Sequence, residues 1–449
     1  MITLDYQNTT ASRIGPEHGL TEEELRQATT AGAGLCRRFA EEADGGILGF
    51  AALPRSEEAA RRVAEYAARR RGSVESFVQI GIGGSALGAI ALGTALAHRF
   101  HNEGPGRPRF YVLDNVDPEE TRALLERIDL RTTLFHVVTK SGDTTETMAG
   151  FLIVLDRLRK ALGDAWRKNV VVTTDPRRGF LRKFAGQEGL EAFDVPEKVG
   201  GRFSVLTPVG LLPAAMLGVE IRDLLAGARE ADALCRRPEA GRNPAFLFAL
   251  VAYLLDTRRG KRIHVMMPYA RALRDVADWF RQLWAESLGK SSRVGPTPVV
   301  ALGTTDQHSQ IQLYNEGPND KLVIFLETGA FRTDERIPEV LPREAPPAFL
   351  QGRTLAEVMA AMKGGTEAAL VQAQRPNMTL RLAEISARSL GGLFYLLEAA
   401  TVYAGWLYGV DPFNQPGVEA GKRAAFARLG RPGYSAPPPP PPDPRYVVS

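Results

Sequence analysis

The sequence predicts an α/β protein made of two units, each a parallel sheet flanked by helices. Three observations support this fold class: short runs rich in β-branched residues, amphipathic segments between them, and a second start of the same alternation beyond residue 260. A chain of 449 residues is also too long for one ordinary core, so two domains are expected.

The first unit contains four short apolar runs. The predicted strands are FVQIGI (77–82), RFYVLD (109–114), LFHVVT (134–139) and VVVTT (170–174). After the third run, apolar residues recur three or four positions apart, as in an amphipathic helix: Met148, Phe151, Leu152, Leu155, Leu158 and Leu162. This alternation predicts βαβ crossovers, with helices on both faces of a parallel sheet.

The second unit repeats the pattern after a polar boundary, CRRPEAGRNP (235–244), which carries two prolines and a glycine. FLFALVAYLL (246–255) is predicted to be a buried helix, and a long helical stretch is expected at 382–409. The predicted strands of this unit are RIHVMM (262–267), TPVVAL (297–302) and KLVIFL (321–326). A second parallel sheet is therefore expected.

Charge and cysteine content exclude several classes of function. The 56 basic and 52 acidic residues leave a net charge of +4, without the basic stripe that nucleic acid requires. Cys36 and Cys235 belong to no CxxC pair, and the six histidines form no ligand cluster, so no disulfide framework or metal site is expected.

The first residues, MITLDYQNTT, lack the pattern of a secretion signal, and the longest apolar run is half the roughly 20 residues of a membrane span. We expect a cytoplasmic protein that binds neither nucleic acid nor a membrane.

Two predicted strands end in loops suited to an anion. GIGGSALG (81–88) offers backbone N–H groups where glycines permit a tight turn before a helix. It has no Walker lysine, and Ala86 replaces the third glycine of a dinucleotide fingerprint, so a structural turn is an equal alternative. TKSGDTTET (139–147) adds an ammonium group and several hydroxyls to such a turn.

Asp143 is the unexpected member of TKSGDTTET, because a phosphate would repel its charge. Its spacing from Glu146 matches a helix capping box, which is an alternative explanation for the whole loop. We expect Asp143 to face away from any anion and to cap a helix that begins near Thr144, by accepting the N–H of Thr145 or Glu146.

Arg202 and Glu286 stand out as charged residues in apolar surroundings. In VGGRFSVLTPVG (199–210) the arginine is expected to be buried, either in a structural ion pair or facing an oxyanion as it forms. In VADWFRQLWAESLGK (276–290) the carboxylate falls near the apolar helix stripe and Trp279. A carboxylate beside an indole loses hydration, which suits a general base. The alternative is a surface pair of Glu286 with Lys290.

Two further polar loops carry single candidates. His308 lies in GTTDQHSQIQLYNEGPND (303–320), and a lone histidine is more often structural than catalytic. Lys422 lies in FNQPGVEAGK (413–422), where its spacing alone is equally typical of a solvated helix lysine.

Together, these six stretches resemble the phosphoglucose isomerase family in its shorter bacterial form, over about residues 45–428. VGGRFSVLTPVG and FNQPGVEAGK are similar to the most diagnostic segments of that family. The resemblance implies sugar-isomerase (SIS) domains at 45–234 and 245–410, and a C-terminal helical arm at 411–434 that carries the lysine and wraps a partner in a homodimer. The proline-rich tail at 435–449 lies outside it, and its six-proline run predicts an extended polyproline helix or a disordered end.

The resemblance also implies a role for each matched residue in converting glucose 6-phosphate to fructose 6-phosphate. Gln282 would contact the sugar, while Lys422 and a His308 from the partner subunit would open its ring. Glu286 would move a proton between carbon 2 and carbon 1 through a cis-enediol, and Arg202 would hold the developing charge. No redox cofactor or metal would be required. The phosphate would be bound by Gly84, Ser85, Lys140, Ser141, Thr144 and Thr147.

Two departures and two alternatives remain. Thr139 replaces a serine common in the family, and Asp143 stands where its members usually carry threonine. A SIS-type sugar-phosphate sensor would keep the two anion loops but would not need Glu286, His308 and Lys422 together. An isomerase with a broader choice of sugars, including mannose 6-phosphate, is the other alternative.

Overall fold

The chain folds into two α/β units, described by a computed structural model over residues 2–104, 108–435, 437 and 441–447. The strands are β1 Ile2–Asp5, β2 Ser76–Ile80, β3 Arg109–Leu113, β4 Thr133–Val138, β5 Val170–Thr174, β6 Glu191–Asp194, β7 Ile263–Pro268, β8 Thr297–Val300, β9 Lys321–Thr328 and β10 Asn377–Leu382. The helices are α1 Ala11–Ile14, α2 Glu22–Asp44, α3 Glu57–Arg71, α4 Leu87–Leu96, α5 Pro118–Arg127, α6 Thr145–Leu162, α7 Phe180–Glu188, α8 Pro208–Met216, α9 Ile221–Cys235, α10 Pro244–Arg259, α11 Arg274–Leu288, α12 Ile311–Glu316, α13 Leu355–Gln372, α14 Ala387–Tyr408 and α15 Glu419–Arg428.

Each unit is built on one five-stranded sheet. The first sheet has the order β3-β2-β4-β5-β6, and all of its strand pairs are parallel. The second has the order β1-β10-β9-β7-β8, in which only β1 runs antiparallel to its neighbour. Since the carboxyl ends of parallel strands share one edge, each unit presents a single edge to which functional loops can be attached.

The core lies mainly in a layer of helices that contacts both sheets. One face of the first sheet, including Phe77 and Val171, and one face of the second, including Met266 and Ile324, belong to the same buried cluster as α9, α10, α11 and α14. The opposite face of the first sheet packs on α5, α6 and α7, and that of the second sheet packs on α12 and α13. Apolar burial on both faces explains why the strands read as continuous apolar runs.

Two apolar helices form the centre of this layer. The predicted buried helix at 246–255 is confirmed as part of α10, and every residue of that stretch except Tyr253 is buried. In the described part of the chain, α14 is the helix long and apolar enough to cross a membrane, with a mean hydropathy of 1.2, but 89% of that stretch is buried inside the protein. It is a core helix.

The predicted strands are confirmed to within two residues at each end, but three strands were missed: β1, β6 and β10. The helical stretch expected at 382–409 begins only at Ala387, because Asn377–Leu382 is a strand paired with both β1 and β9. Leu152, predicted on the apolar stripe of α6, is 55% exposed. The polyproline prediction for 437–442 lies in part outside the described residues.

Candidate active site

A cavity of about 700 Å³ opens where the carboxyl edge of the first sheet meets α11 and the segment before and within α15. Its lining combines the glycine-rich turn, the hydroxyl-rich loop, the Arg202 turn, one face of α11 and the C-terminal segment. Of the residues predicted from sequence, the cavity brings together Gly84, Ser85, Lys140, Ser141, Thr144, Arg202, Gln282, Glu286 and Lys422.

The glycine-rich turn after β2 is shaped by two close approaches. Gly83 has φ of +58°, in the left-handed region, and a Cβ there would lie 2.8 Å from Nε2 of Gln282. A Cβ on Gly84 would lie 2.2 Å from the carbonyl carbon of Gly201. The glycines therefore allow this turn to touch both α11 and the Arg202 turn, which places Ser85 at the cavity wall.

The hydroxyl-rich loop after β4 forms a closed set of hydrogen bonds. The Thr139 hydroxyl lies 2.7 Å from that of Thr144 and 3.2 Å from that of Ser141, and the latter two are 3.2 Å apart. Thr139 is buried beneath the other two, which line the cavity. Each hydroxyl can rotate to donate to an incoming anion, so the set is a ready group of donors.

Lys140 supplies the charge of this loop. Its ammonium donates 2.7 Å hydrogen bonds to the carbonyls of Glu197 and Val199, which leaves one of its three N–H groups for a ligand. Burial lowers the pKa of Lys140, and the negative charges of Asp175 and Glu197 oppose that effect. A bound phosphate would favour the charged form in the same way.

Thr147 is not brought to the cavity. It lies in the first turn of α6, 2% exposed, and its hydroxyl oxygen has no hydrogen-bond partner among the described residues. The structure therefore places it behind the loop rather than among the lining groups, in contrast to its predicted contact with phosphate.

The predicted cap by Asp143 is wrong. Thr144, not Asp143, is the N-cap residue of α6, and its side chain makes no capping hydrogen bond. The Asp143 carboxylate instead accepts a 2.9 Å hydrogen bond from Nη2 of Arg431, in the C-terminal segment. Asp143 does not line the cavity, and its carboxylate is directed to a distant arginine rather than to the helix end.

Arg202 joins the two halves of the cavity. Its side chain is 2% exposed and donates to the Glu286 carboxylate at 3.1 Å, the Ser287 hydroxyl at 2.7 Å and the Gln415 side chain at 3.0 Å. The carbonyls of Pro412 and Asn414 accept its remaining donors. Burial lowers the pKa of Arg202, and the nearby Glu286 charge opposes that shift. The expected ion pair is present, and the guanidinium also faces the cavity.

Glu286 has different neighbours from those predicted. Its carboxylate is 33% exposed and is held by Arg202 and by Gln282, whose Nε2 donates to Oε1 at 2.9 Å. The indole of Trp279 packs on Phe394 instead, with ring centroids 4.6 Å apart. The alternative pair with Lys290 is also wrong, because that ammonium donates to the backbone carbonyl of Glu286. The result is a partly exposed carboxylate, oriented by two polar groups, with room to reach a ligand.

Lys422 and His308 differ in placement. Lys422 lies on α15 and lines the cavity, with its ammonium 3.0 Å from the Glu419 carboxylate. His308 lies in the 3₁₀ turn Thr305–His308 after β8, is exposed, and does not line the cavity. One chain therefore assembles every predicted proton-transfer group except the histidine.

Three polar residues of the cavity were not predicted from the sequence. Asp175 follows β5 directly and accepts the backbone N–H groups of Arg177 and Arg178; the first of these bonds is the main cause of its lowered pKa. The Arg178 side chain and Gln415 also line the cavity. The position of Asp175 at the end of VVVTT was the available signal, since neighbouring strands end at the same edge.

No group of three or more histidine, cysteine, aspartate or glutamate side chains within the described ranges is arranged to hold a metal ion. The donors around the cavity are hydroxyls, ammonium groups and guanidinium groups, which suit an anionic oxygen rather than a cation.

Comparison with known proteins identifies the family to which this chain belongs. The phosphoglucose isomerase family profile matches residues 58–432. The glucose-6-phosphate isomerase of Rubrobacter xylanophilus is 46% identical over 440 residues, which cover 97% of this chain and 99% of the relative. That of Carboxydothermus hydrogenoformans is 47% identical over 406 residues, covering 88% of this chain and 87% of the relative.

Solved structures agree with this similarity. A hypothetical protein from Thermus thermophilus superposes with a TM-score of 0.84 at 40% identity, covering 96% of this chain and 100% of the other. A glucose-6-phosphate isomerase from Chlamydia trachomatis superposes with a TM-score of 0.81, covering 96% of this chain and 88% of the other. At 23% identity, the second likeness supports the fold alone.

Proposed function

The chain belongs to the phosphoglucose isomerase family, and from that premise we propose that its cavity catalyses the reversible isomerisation of D-glucose 6-phosphate to D-fructose 6-phosphate. The observation that carries the proposal is the Glu286–Arg202 pair, a carboxylate and a guanidinium that face one cavity beside a separate group of anion donors. These are the two groups that proton transfer next to a carbonyl requires.

The phosphate end of the substrate is assigned to the first unit. Ser85, Lys140, Ser141 and Thr144 provide hydroxyl and ammonium donors at two adjacent strand ends, and backbone N–H groups of the glycine-rich turn add to them. Thr147 is kept as a support of the loop, since its side chain is buried behind it. Binding energy from the phosphate would position the reacting carbons, which lie at the other end of the sugar.

The proton transfer is assigned to α11 and the Arg202 turn. Glu286 would take the proton from carbon 2 of the open-chain aldose, and the electrons of that C–H bond would form the enediol while charge develops on the carbonyl oxygen. Arg202 would stabilise this oxygen through its charge, and Glu286 would return the proton to carbon 1. The hydroxyl proton on the oxygen of carbon 2 would pass to the oxygen of carbon 1, which balances the conversion of aldehyde to ketone. Gln282, bonded to the carboxylate, would orient it and contact the sugar. Electrons shift only within the sugar, so the step needs no external oxidant or reductant.

Ring opening is assigned to Lys422 and to His308 of a second copy of the chain. Lys422 already lines the cavity, whereas His308 is exposed and lies outside it. A homodimer in which the exposed His308 turn faces the partner's cavity would supply the missing acid–base group. The exposed position of His308 outside its own cavity supports the proposed homodimer. The proposed partners of the chain are a small-molecule sugar phosphate and a second identical chain.

A coupled assay with the three hexose 6-phosphates tests the proposed function. We expect rapid interconversion of glucose 6-phosphate and fructose 6-phosphate. The glucose 6-phosphate formed is detected by its oxidation with an added glucose-6-phosphate dehydrogenase. Binding of either ester without turnover would instead support a sensor. Turnover of mannose 6-phosphate at a similar kcat/KM would support the isomerase with broader sugar choice.

A further inference from the structure

The Asp143–Arg431 ion pair connects two parts of the molecule that are far apart in sequence. Nη2 of Arg431 lies 2.9 Å from Oδ2 of Asp143, and 288 positions separate the two residues. Asp143 belongs to the hydroxyl-rich loop, and Arg431 follows α15. The pair therefore joins the proposed phosphate end of the cavity to the helix that carries Lys422.

Few other contacts hold α15 in place. None of its ten residues, all within the described ranges, is buried. The segment before it is fixed by Arg202, which donates to the carbonyls of Pro412 and Asn414. Beyond that anchor, Asp143–Arg431 is the one side-chain hydrogen bond that the described residues 416–435 make to the rest of the protein.

Arg431 also contacts the helix itself. Its guanidinium lies over the ring of Phe426, 4.4 Å from the centroid, and 5.4 Å from the centroid of Tyr434. Phe426 is four residues after Lys422, so the two side chains lie on one face of α15. Arg431 thus contacts α15 one turn away from the lysine, while its charge is bound to the loop.

We propose that Arg431, paired with Asp143, is a positioning residue that holds α15 so that Lys422 stays in the cavity opposite the phosphate-binding loop. This inference rests on the proposed function, since it assigns Lys422 to ring opening. Ser141 and Thr144, on either side of Asp143 in the loop, line the cavity while Asp143 does not, so the pair acts from outside the substrate space. The Asp143–Arg431 pair, called the tether below, then connects the phosphate-binding loop to Lys422, and both must act on one substrate.

The test compares Asp143→Asn, Arg431→Gln and the double variant, with Arg431→Lys as the conservative change. Arg445→Gln is the matched control, because Arg445 forms an exposed ion pair with Asp443 beyond α15. We expect each single substitution to lower kcat for glucose 6-phosphate three- to fivefold, or about 0.7–1 kcal/mol at 1.4 kcal/mol per tenfold, within the range of exposed ion pairs. The double variant should be no worse than either single, and Arg431→Lys should retain more than half of the activity.

The two single substitutions change the net charge in opposite directions. An equal fall in kcat therefore cannot arise from a long-range effect on the anionic substrate, which would raise one and lower the other. The inhibition constant of inorganic phosphate should stay within about threefold of wild type in both. Additive losses in the double variant, unchanged kcat in both singles, or an equal loss in Arg445→Gln would overturn the proposal.

Amide hydrogen exchange separates this inference from the proposed function. We expect peptides that cover α15 to exchange faster in Asp143→Asn and Arg431→Gln, but not in Arg445→Gln. If the wild-type protein fails to isomerise any hexose 6-phosphate, the proposed function fails, while faster exchange still supports the tether. Unchanged exchange in both variants would contradict the tether whatever the activity.

Discussion

The two sheets share the order of four parallel strands, β3-β2-β4-β5 and β8-β7-β9-β10, but their carboxyl edges have opposite chemistry. At the first edge, Lys140 and the loop hydroxyls line a cavity and keep donors available. At the second, Lys363 is 8% exposed and its ammonium is bound by the carboxylates of Glu367, at 2.7 Å, and Glu327, at 3.6 Å, and by the Thr379 hydroxyl. The second edge neutralises its own charges, whereas the first leaves its charge for a ligand.

This difference shows that a position at the carboxyl edge of a parallel sheet does not by itself make a lysine available to a ligand. The second unit contributes to the candidate active site through α11, the crossover helix after β7, which carries Gln282 and Glu286 across to the first edge. In the proposed mechanism, the first edge supplies binding groups and the second unit supplies a catalytic helix. Four substitutions test whether this division of roles is correct.

The largest effect is expected for Glu286→Gln. It should lower kcat by roughly 10²–10⁴-fold, as for general acid–base groups, and should abolish exchange of the carbon 2 proton with deuterated solvent. Binding of fructose 6-phosphate should change little, because glutamine still accepts a hydrogen bond from Arg202. Glu327→Gln is the matched control at the second edge, and its kcat should equal that of wild type.

Solvent deuterium entering carbon 2 at the wild-type rate in Glu286→Gln would remove the carboxylate from the proposed mechanism. An equal loss of kcat in Glu327→Gln would mean that the second edge also takes part in the reaction.

His308→Ala tests whether the second unit contributes a further group through a partner. We expect kcat/KM for ring-closed substrate to fall by about 10²-fold, near the lower end for acid–base groups because Lys422 serves the same step. A substrate analogue unable to cyclise should be affected much less. His98→Ala, at a histidine outside the cavity, is the control and should be neutral.

Mixed subunits test the shared site directly. After exchange of His308→Ala with Glu286→Gln chains, hybrid dimers would contain one site with both residues intact, so activity should return. A mixture that stays inactive after verified exchange would place the whole site within one chain.

A smaller effect is expected for Lys140→Met, which removes the charge of the first edge. The KM for glucose 6-phosphate should rise tenfold or more, since a hydrogen bond to a charged group contributes about 1.5–3 kcal/mol, while kcat should change little. Wild-type affinity should also weaken at alkaline pH, because burial lowers the pKa of Lys140 and its charge is lost as pH rises through that lowered value. The loss should begin below the usual lysine pKa of about 10.4. A measurement of KM against pH should show no such alkaline rise in KM for Lys140→Met.

The smallest effect on activity is expected for Lys363→Met, the equivalent change at the second edge. Turnover and KM should stay within about twofold of wild type. Urea denaturation should show a loss of about 1–3 kcal/mol in the free energy of unfolding, because the partly buried Glu367 carboxylate loses the ammonium and keeps the neutral amide of Asn8 as its partner. A rise in KM as large as that of Lys140→Met would mean that the two edges are functionally alike.

Local pattern was sufficient to predict the strands and two loops suited to an anion, whereas the resemblance to a known family selected the other candidate site residues. Strand runs, glycine turns and hydroxyl-rich loops are determined by neighbouring residues, and Gly84, Ser85, Lys140 and Ser141 were placed correctly at one edge. The strand β1 was missed because its pairing with β10 joins residues far apart in sequence. The domain boundaries, the homodimer and the cytoplasmic location stay predictions.

Side-chain direction could not be predicted where a distant residue decides it. Asp143 and Glu146 have the spacing of a capping box, but Arg431 competes for the carboxylate. Glu286 has the helical spacing of an apolar neighbour, but Arg202 draws it toward the cavity. Thr147 lies in the matched loop, yet the first turn of α6 buries it. For Asp143 and Glu286 the deciding contact is tertiary rather than local.

The apolar core helix α14 has a consequence for how the protein is made. Its packing partners α2, α9, α10 and α11 all precede it in the chain, so each has left the ribosome before α14 does. The helix can therefore be covered as soon as it emerges, and its membrane-like composition is hidden during synthesis. A chain truncated just before Ala387 would lack α14. The apolar faces of helices α9 and α10 would then be exposed to chaperones and proteases.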